Sequence, residues 1–249
     1  MQTSAITFES VANQRRVVSS AGNGERHWRT DYLGVRGQKN DAPEAFLIEM
    51  SANETLLPHY HAVDQFQVFV AGNGTLGKHS AAPLIVHYAD HHTGYGPIVA
   101  SPCGLSYFTF RPMTDPGAVY LNNPKYRELL APSAKRHATS APASLSIQPV
   151  LSSRTVAAVE KLLPGFEPDD GVGAYLYRLG PDMQASGPPP ARTGGQYYLV
   201  ANGALVHGKA HLGQRAVVYV PSAARAFSLQ SGSHGAEVVL LEFPNRQAA

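Results

Sequence analysis

Several features are missing or scarce in this chain of 249 residues. Its only cysteine is Cys103, so an internal disulfide is excluded. No run of about 18 apolar residues occurs, so we predict no membrane-spanning helix. The start, MQTSAITFES, has neither a charged beginning nor an apolar run, so no secretory signal is predicted and a cytoplasmic protein is the default expectation.

Charge is also scarce. Charged residues make up 15% of the chain and the formal net charge is +2. Because Lys and Arg cluster in no region, we do not expect nucleic acid as a partner. The 23 glycines and 19 prolines favour a β-rich fold with short strands. The length suffices for one large domain or two small ones.

The stretch around His59 and His61 carries the strongest chemical pattern. One residue separates the two histidines, and Gln65 follows four residues after His61. Residues two apart on a strand face the same side, so we expect His59, His61 and Gln65 to project together. Two imidazoles and an amide oxygen suit a divalent metal. The next residues, QVFVAGNGTLGKH, predict a β-hairpin that turns at Asn-Gly.

This stretch resembles the cupins, small β-barrel proteins with two spaced motifs. The first motif, G-x5-H-x-H-x3-E-x6-G, is matched by His59, His61 and Gly72, with Gln65 at the Glu position and Asn53 at the first Gly. The second motif, G-x5-P-x-G-x2-H-x3-N, is matched by three residues and altered at two, in the order Gly96, Pro102, Gly104, Tyr107 and Arg111. The spacing of both motifs is therefore preserved, but the residue type differs from the family's at two of the four metal-ligand positions.

The resemblance implies one divalent first-row transition metal (Fe, Mn, Ni, Zn or Cu), which cupins hold through three histidines and a glutamate. Here the implied metal ligands are His59, His61 and Gln65. Tyr107 would be a ligand as a phenolate, or a hydrogen-bond donor or general acid. Arg111 lies on the same strand face as Tyr107 and would clamp a substrate carboxylate; the alternative is a surface ion pair.

Three more histidines, His87, His91 and His92, precede the second motif. Either they are half-buried strand residues with local hydrogen bonds, or one of them faces the barrel as a ligand or an acid–base group. Since adjacent strand residues face opposite sides, only one of His91 and His92 can point inward, and we favour His92.

The C-terminal third repeats the first barrel. When Gln196 is laid on Gln65, Gly203 falls on Gly72, while Pro190 and Arg192 occupy the two histidine positions. Laying Pro221 on Pro102 puts Ala226 on Tyr107. We therefore predict an all-β bicupin, with two double-stranded β-helix barrels whose second copy is structural and binds no metal. His207 and His211 are interpreted as surface residues.

The predicted domains are an N-terminal barrel at 1–115, a linker at 116–164 and a degenerate barrel at 165–249. In the linker, NPKYRELLA predicts a short helix with Asn123 as its cap and Pro124 at its first position. A second short helix is expected at 153–163, before Pro164 and Gly165.

Three functions remain open. The first is a metal-dependent enzyme, a dioxygenase-type oxidoreductase acting on a small anionic or enolisable molecule. The second is a metal-dependent isomerase, lyase or hydrolase, with Tyr107 or His92 in proton transfer. The third is a non-catalytic barrel that binds a small molecule. Because small sheets have edges that need covering and related cupins commonly pair, we also predict a homodimer.

Overall fold

A computed structural model describes residues 2–19, 24, 26–35, 41–166 and 170–245. The chain divides into two compact units, one of Val11–Ala143 and one that joins Met1–Ser10 to Ser144–Ala249. We call the sheet structures of these units the first and the second barrel. None of the helices in the described ranges is long and apolar enough to cross a membrane.

The described elements, in chain order, are mostly strands: β1 (Ser4–Ile6), α1 (Phe8–Val11), β2 (Arg16–Ser19), β3 (Arg26–Leu33), β4 (Glu44–Met50), β5 (Thr55–Leu56), β6 (His59–Tyr60), β7 (Gln65–Leu76), β8 (His79–Ala81), β9 (Val86–Ala89), β10 (Ile98–Arg111), β11 (Val119–Tyr120), α2 (Pro124–Arg127), β12 (His137–Thr139), β13 (Ala158–Lys161), β14 (Gly173–Leu179), β15 (Gln184–Ser186), β16 (Gln196–His207), β17 (Ala210–Leu212), β18 (Val217–Val220) and β19 (Ser228–Glu242). Single turns of 3-10 helix cover Ala12–Gln14 and Pro190–Arg192.

The first barrel is built on a sheet in the order β12-β9-β7-β10-β4-β3-β2, with β5 and β8 on its margins and β11 paired with β6. Its strands are antiparallel. Their inward side chains form one apolar core that includes Phe46, Phe69, Tyr95 and Tyr107. Three of these, Phe46, Tyr95 and Tyr107, also line the candidate site, so packing fixes part of that site.

The second barrel has the same strand plan, in the order β1-β18-β16-β19-β14-β13. Its core is a separate apolar cluster that includes Tyr198, Leu205, Phe227 and Leu240. The predicted all-β fold of two barrels is confirmed.

The units differ from the predicted domain boundaries at two places. Residues 2–10 accompany the C-terminal unit because β1 pairs with β18. Residues 116–143 accompany the first unit because β11 pairs with β6 and β12 with β9. Both differences come from short strands that pair with residues far away in sequence.

The equivalence of the barrels is clearest at two glycine pairs. Gly72 and Gly203 both have φ +68°, and a Cβ on either would lie 2.2 or 2.1 Å from the carbonyl oxygen of Gly104 or Gly235, respectively. Because only glycine allows so close an approach, both barrels depend on this contact. In each pair the second-barrel residue lies 131 positions after its counterpart.

This spacing corrects the alignment of the second motif. The counterpart of β10 is β19, since each pairs with the long strand that carries Gly72 or Gly203. Pro221 instead follows β18, the counterpart of β9, so matching Pro221 to Pro102 was wrong. At a spacing of 131, Tyr107 corresponds to Val238 and Arg111 to Glu242. The first-motif alignment, from Gln65 to Gln196, has this spacing already.

The hairpin turn was also misplaced. β7 runs without a break through Gly72-Asn73-Gly74 and turns at Gly77-Lys78. The positive φ of Gly72 serves the close approach to Gly104 instead of a turn. An Asn-Gly pair permits a turn, but here β7 pairs with β10 at Gly72 and again at Gly74, with a register shift between them.

Two predictions concern the linker. Helix α2 begins at Pro124 as predicted, and the side chain of its cap Asn123 accepts a hydrogen bond from the Lys125 amide at 3.1 Å. The helix predicted at 153–163 was wrong, because Ala158–Lys161 forms β13 and pairs with β14. His207 and His211 are exposed, as predicted.

Candidate metal and ligand site in the first barrel

A cavity of about 100 Å³ lies inside the first barrel. Four of the predicted site residues, His59, His61, Tyr107 and Arg111, line it. The three residues are not on one strand as predicted: His59 lies in β6, His61 directly follows β6, and Gln65 begins β7 after a bend at residues 62–63. The ring centres of His59 and His61 are 5.2 Å apart.

His59 is buried and its Nδ1 lies 2.7 Å from the Leu57 carbonyl oxygen. A carbonyl only accepts, so Nδ1 carries the proton and Nε2 keeps its lone pair. Nε2 lies 2.8 Å from the hydroxyl of Tyr95, which donates to it. Burial, together with nearby His61, lowers the pKa of His59 to about 3, so this imidazole is neutral at physiological pH.

His61 is held in a similar way. Its Nδ1 lies 2.7 Å from Oδ1 of Asp115, and a neutral ring donates there from Nδ1. Burial and the charge of Arg111 lower the pKa of His61 despite the nearby carboxylate. Burial alone would raise the pKa of Asp115, but its hydrogen bond from His61 and the charge of Arg111 bring that pKa to about 2. The pair is thus a neutral imidazole on a carboxylate.

Arg111 is buried, so the alternative of a surface ion pair was wrong. It lines the cavity, and its role as a clamp on a substrate carboxylate stays a prediction. Its Nη1 binds Glu44 at 2.7 Å, and Glu44 also binds Arg29 at 2.8 Å. Its Nη2 lies 3.1 Å from both ring nitrogens of His61. If Nη2 lay in the plane of the imidazole ring at 3.1 Å from both nitrogens, it would overlap Cε1. The guanidinium therefore lies over the face of the ring, away from the in-plane lone pair of Nε2.

Gln65 lies beside the cavity, at the start of β7. Its Oε1 accepts from Nη2 of Arg111 at 3.2 Å, and its amide nitrogen donates to the hydroxyl of Tyr95. Tyr95 therefore links Gln65 to His59. The three predicted metal ligands, His59, His61 and Gln65, are brought together by hydrogen bonds to Tyr95 and by the guanidinium of Arg111.

Tyr107 faces the cavity from β10, and burial raises its pKa well above the usual range. It is therefore a phenol that can donate a hydrogen bond, and the phenolate alternative is disfavoured in the protein alone. His92 does not line the cavity. It lies in the turn after β9 with φ +54°, and its ring centre is 5.6 Å from that of Tyr60. The prediction that His92 points into the barrel was therefore wrong, because β9 ends at Ala89 and His92 lies beyond the strand.

The inward histidine of this region is His87, in β9. It is fully buried, its Nδ1 lies 2.9 Å from Oε1 of Gln67, and its ring centre is 5.0 Å from that of Tyr95. Its Nε2 has no hydrogen-bond partner in the described residues. Sequence reasoning missed Tyr95, Gln67 and Asp115. Alternation along β7 from Gln65 would have identified Gln67, but no local pattern pointed to Tyr95 or Asp115.

The spacing of the histidine pair is compatible with one shared metal ion. Among the described residues, no three His, Cys, Asp or Glu side chains gather into a metal-binding group. The donors are the two Nε2 atoms and the neutral oxygens of Gln65 and Tyr95. With a metal–nitrogen distance of about 2.1 Å, two imidazoles on one ion have centres roughly 5 Å apart, close to the observed 5.2 Å. Binding at His59 requires the Tyr95 hydroxyl to leave Nε2.

No protein-family model matches the chain, and no curated protein does. Solved structures do resemble it. A candidate dioxygenase from Nostoc punctiforme is 11% identical with a TM-score of 0.65, over 98% of this chain and 84% of that one. Oxalate decarboxylase from Lactobacillus farciminis, in a formate complex, is 9% identical with a TM-score of 0.60, over 97% and 86%. The bacterial pirin of Escherichia coli, in complex with nickel(II), is 11% identical with a TM-score of 0.56, over 98% and 99%. At these identities the likeness shows the fold, and the resemblance to bicupins is confirmed at that level.

Proposed function

We propose that this two-barrel cupin chain is a metal-dependent enzyme whose first barrel holds one divalent first-row transition metal ion through His59 and His61. The observation that carries the proposal is the fixed orientation of both rings. Leu57 and Asp115 accept hydrogen bonds from the two Nδ1 atoms, so neither Nε2 carries a proton and both can act as acceptors. Nε2 of His59 accepts from the Tyr95 hydroxyl, which a metal ion would have to displace. Such outer hydrogen bonds are typical of metal-binding histidines. The similar structures of a candidate dioxygenase, a decarboxylase and a nickel-bound pirin support a metal site in this fold.

The charges around the site favour a small anionic substrate. The three carboxylates Asp31, Glu44 and Asp115 are balanced by the three arginines Arg16, Arg29 and Arg111. His59, His61 and Gln65 are neutral donors, so a bound dication would keep its charge and attract an anion. When bound, the metal would act as a Lewis acid or as a centre for O2 chemistry. Our first choice of reaction is oxidation by O2; an isomerase, lyase or hydrolase reaction is the alternative.

The chain's own groups would position the substrate. Tyr107 presents a protonated hydroxyl to the cavity, where it can donate a hydrogen bond or a proton from Oη. The volume of about 100 Å³ restricts the substrate to a few non-hydrogen atoms. His92, which lies outside the cavity lining, is not part of this proposal.

A second candidate function is a metal-free barrel that binds a small molecule. The observation that favours it is that the candidate ligands already have partners. Tyr95 donates to His59, and Arg111 lies over His61 and binds Gln65. In that case the permanent charge of Arg111 would take the place that a metal has in related barrels.

Metal binding separates the two candidates. We expect purified protein, after removal of metal, to bind close to one Co²⁺ or Fe²⁺ per chain at pH 7.5. His61→Ala should weaken binding at least about 100-fold because it removes one of two nitrogen ligands, and Gln65→Glu should strengthen it by adding a carboxylate. The exposed His211→Ala in the second barrel is the matched control and should bind as the wild type does.

Equal affinity in wild type and His61→Ala would place the ligands elsewhere, and absence of binding in wild type would leave the metal-free candidate. With metal bound, consumption of O2 in the presence of a panel of small carboxylates and enolisable ketones tests the oxidation. Turnover of any of them without O2 consumption would favour the isomerase, lyase or hydrolase alternative. The homodimer stays a prediction, to be tested by light scattering at micromolar concentration.

A further inference from the structure

A second pair of histidine and carboxylate faces the cavity of the first barrel, apart from His61 and Asp115. His27 lies in β3 and lines the cavity. Its Nδ1 is 2.9 Å from Oε1 of Glu54, and the two residues are buried, with exposed fractions of 8% and 3%. Neither residue belongs to the metal site proposed above.

Glu54 fixes the orientation of the His27 ring. A carboxylate only accepts hydrogen bonds, so Nδ1 of the neutral ring donates and Nε2 keeps a lone pair. Glu54 is itself held in place, because its Oε2 accepts from the Ser51 amide and its carbonyl oxygen accepts from the Ala100 amide, both at 2.9 Å. Within the described residues Nε2 of His27 forms no hydrogen bond, so it can accept from a molecule that enters the cavity.

The pair lies toward the end of the cavity that is remote from Arg111. The inward residues of β4 that line the cavity are Glu44, Phe46 and Ile48. Arg111 binds Glu44 at the start of β4, whereas Glu54 lies in the turn that follows the end of β4. Tyr107 pairs with Ile48, so it lies between them along the strand. The cavity therefore has a guanidinium at one end and the histidine–carboxylate pair at the other.

Glu54 also acts on Tyr107. Burial, the neighbouring Tyr95 and the charge of Glu54 all raise the pKa of Tyr107, so its hydroxyl stays protonated. One carboxylate thus orients a proton acceptor, Nε2 of His27, and favours a proton donor, Oη of Tyr107. His27 and Tyr107 line the same cavity. Removal of a proton from the carbon next to a carbonyl group requires such an acceptor and such a donor.

The second barrel shows that the fold does not need this pair. Ser231, which lies 131 positions after Ala100, donates from its amide to the Met183 carbonyl oxygen at 2.9 Å, as Ala100 does to Glu54. Met183 therefore occupies the position of Glu54. Strand β13, which pairs with β14 as β3 pairs with β4, contains no histidine. Since apolar side chains often replace a buried charged pair without loss of stability, the pair in the first barrel points to a role in the cavity.

We propose that His27 is the catalytic base of the first barrel and removes a proton from the carbon next to a carbonyl group of the substrate. The C–H bond breaks, the proton passes to Nε2, and the electron pair forms an enolate whose oxygen accepts a hydrogen bond from Oη of Tyr107. Because Glu54 repels an anion, the part of the substrate that reaches His27 is uncharged. This inference rests on the proposed enzymatic function of the first barrel, although the proton transfer itself uses no metal.

Alkylation of the metal-free, full-length protein tests whether Nε2 is available. The probe is neutral iodoacetamide, in a Cys103→Ser background because Cys103 is exposed. The lone pair of Nε2 displaces iodide from the CH2 carbon, and the imidazolium formed keeps its hydrogen bond to Glu54. By peptide mass spectrometry, we expect His27 to be labelled at least about tenfold faster than exposed His211, and at least about fivefold more slowly in Glu54→Gln. The matched control is Glu128→Gln, an exposed change in the same unit, which should leave the labelling unchanged.

Proton transfer is measured by proton NMR as deuterium uptake from D2O into hydroxyacetone, a small neutral ketone. Wild-type protein should accelerate the uptake above the rate in buffer, and His27→Gln should remove at least about 90% of this acceleration. Glu54→Gln should slow the uptake and Glu54→Asp should restore part of it, a rescue that a merely structural role would not give. His211→Gln is the control and should exchange as wild type does. Thermal unfolding of each variant checks that it is folded.

The outcomes separate this proposal from the metal site. Absence of Co²⁺ binding together with labelling of His27 and wild-type deuterium uptake would overturn the metal site and support His27 as the base. Failure of iodoacetamide to label His27 faster than His211, which needs no variant, would overturn the proposal whatever the metal result. Uptake by folded His27→Gln equal to that of wild type, or no uptake by wild type above the buffer rate, would overturn it as well.

Discussion

The two barrels place opposite charges at one backbone position. Beside the glutamine that starts the long strand, the first barrel has Arg111 and the second has Glu242. The glycine contacts that shape the strands are the same in both, at Gly72–Gly104 and Gly203–Gly235. The comparison teaches that the fold depends on a few backbone contacts, and that the inward positions around them are free to diverge.

The neutral histidines make the largest expected difference between the barrels. His59 and His87 are buried with lowered pKa values, to about 3 for His59, whereas His207, His211 and His234 of the second barrel are exposed. Below pH 6.5 the histidines of the unfolded chain become protonated, while His59 and His87 in the folded first barrel stay neutral. The stability of the first barrel therefore decreases as the pH decreases. Well below pH 6.5 each such histidine costs about 1.4 kcal/mol per pH unit, so His59 alone removes roughly 2 kcal/mol between pH 6.5 and 4.5, and His87 adds to this loss.

The measurement is urea unfolding of metal-free protein at several pH values. Fluorescence of the only tryptophan, Trp28 in β3, reports the first barrel, and hydrogen exchange reports each barrel separately. Asp115 and Asp90, whose pKa values are about 2, contribute stability that is lost only below about pH 4. The raised pKa of Glu242 has the opposite sign, and the lowered pKa of Glu237 offsets part of its effect, so the second barrel should lose less stability than the first on acidification to pH 4.5. Equal acid sensitivity of the two barrels would contradict this account.

The charge exchange gives the second expected difference, which is confined to one position in each barrel. Arg111→Met removes one of the guanidinium groups that bind buried Glu44, and loss of one partner from a buried ion pair costs about 3–5 kcal/mol. Glu242→Gln keeps the shape and the hydrogen-bond partner of a costly buried acid, so it should change stability by less than about 1 kcal/mol. Urea unfolding at pH 7 measures both, with exposed Lys78→Met as control. Similar losses in the two variants would show that the barrels use this position alike.

The smallest effect concerns Tyr95, whose counterpart Ala226 has no hydroxyl. Tyr95→Phe removes the hydrogen bonds to His59 and Gln65 and should destabilise the first barrel by about 1 kcal/mol. It also frees Nε2 of His59, so Co²⁺ should bind at least as tightly as in wild type, by titration of the metal-free protein. The matched variant is Tyr107→Phe. If Tyr95→Phe abolishes Co²⁺ binding, the hydroxyl is itself a ligand.

The amino-acid sequence alone determined the fold and the centre of the site. The spaced glycines of the first barrel recur at the same intervals in the second barrel, whereas the histidine pair does not. These intervals can be read from the sequence because an extended strand has a nearly constant length per residue. The all-β class, the two barrels and the convergence of His59, His61 and Gln65 followed from them. The cap at Asn123 also followed, because capping is local.

Only the tertiary structure decided the rest. β13 was misjudged as helix because an apolar pattern of eleven residues does not reveal that β14 will pair with it. Asp115 and Tyr95 reach the histidines through contacts 54 and 36 residues apart in sequence, and Glu44 reaches Arg111 across 67. The burial that lowers the histidine pKa values likewise arises from neighbours that strand pairing brings together, which no local pattern records.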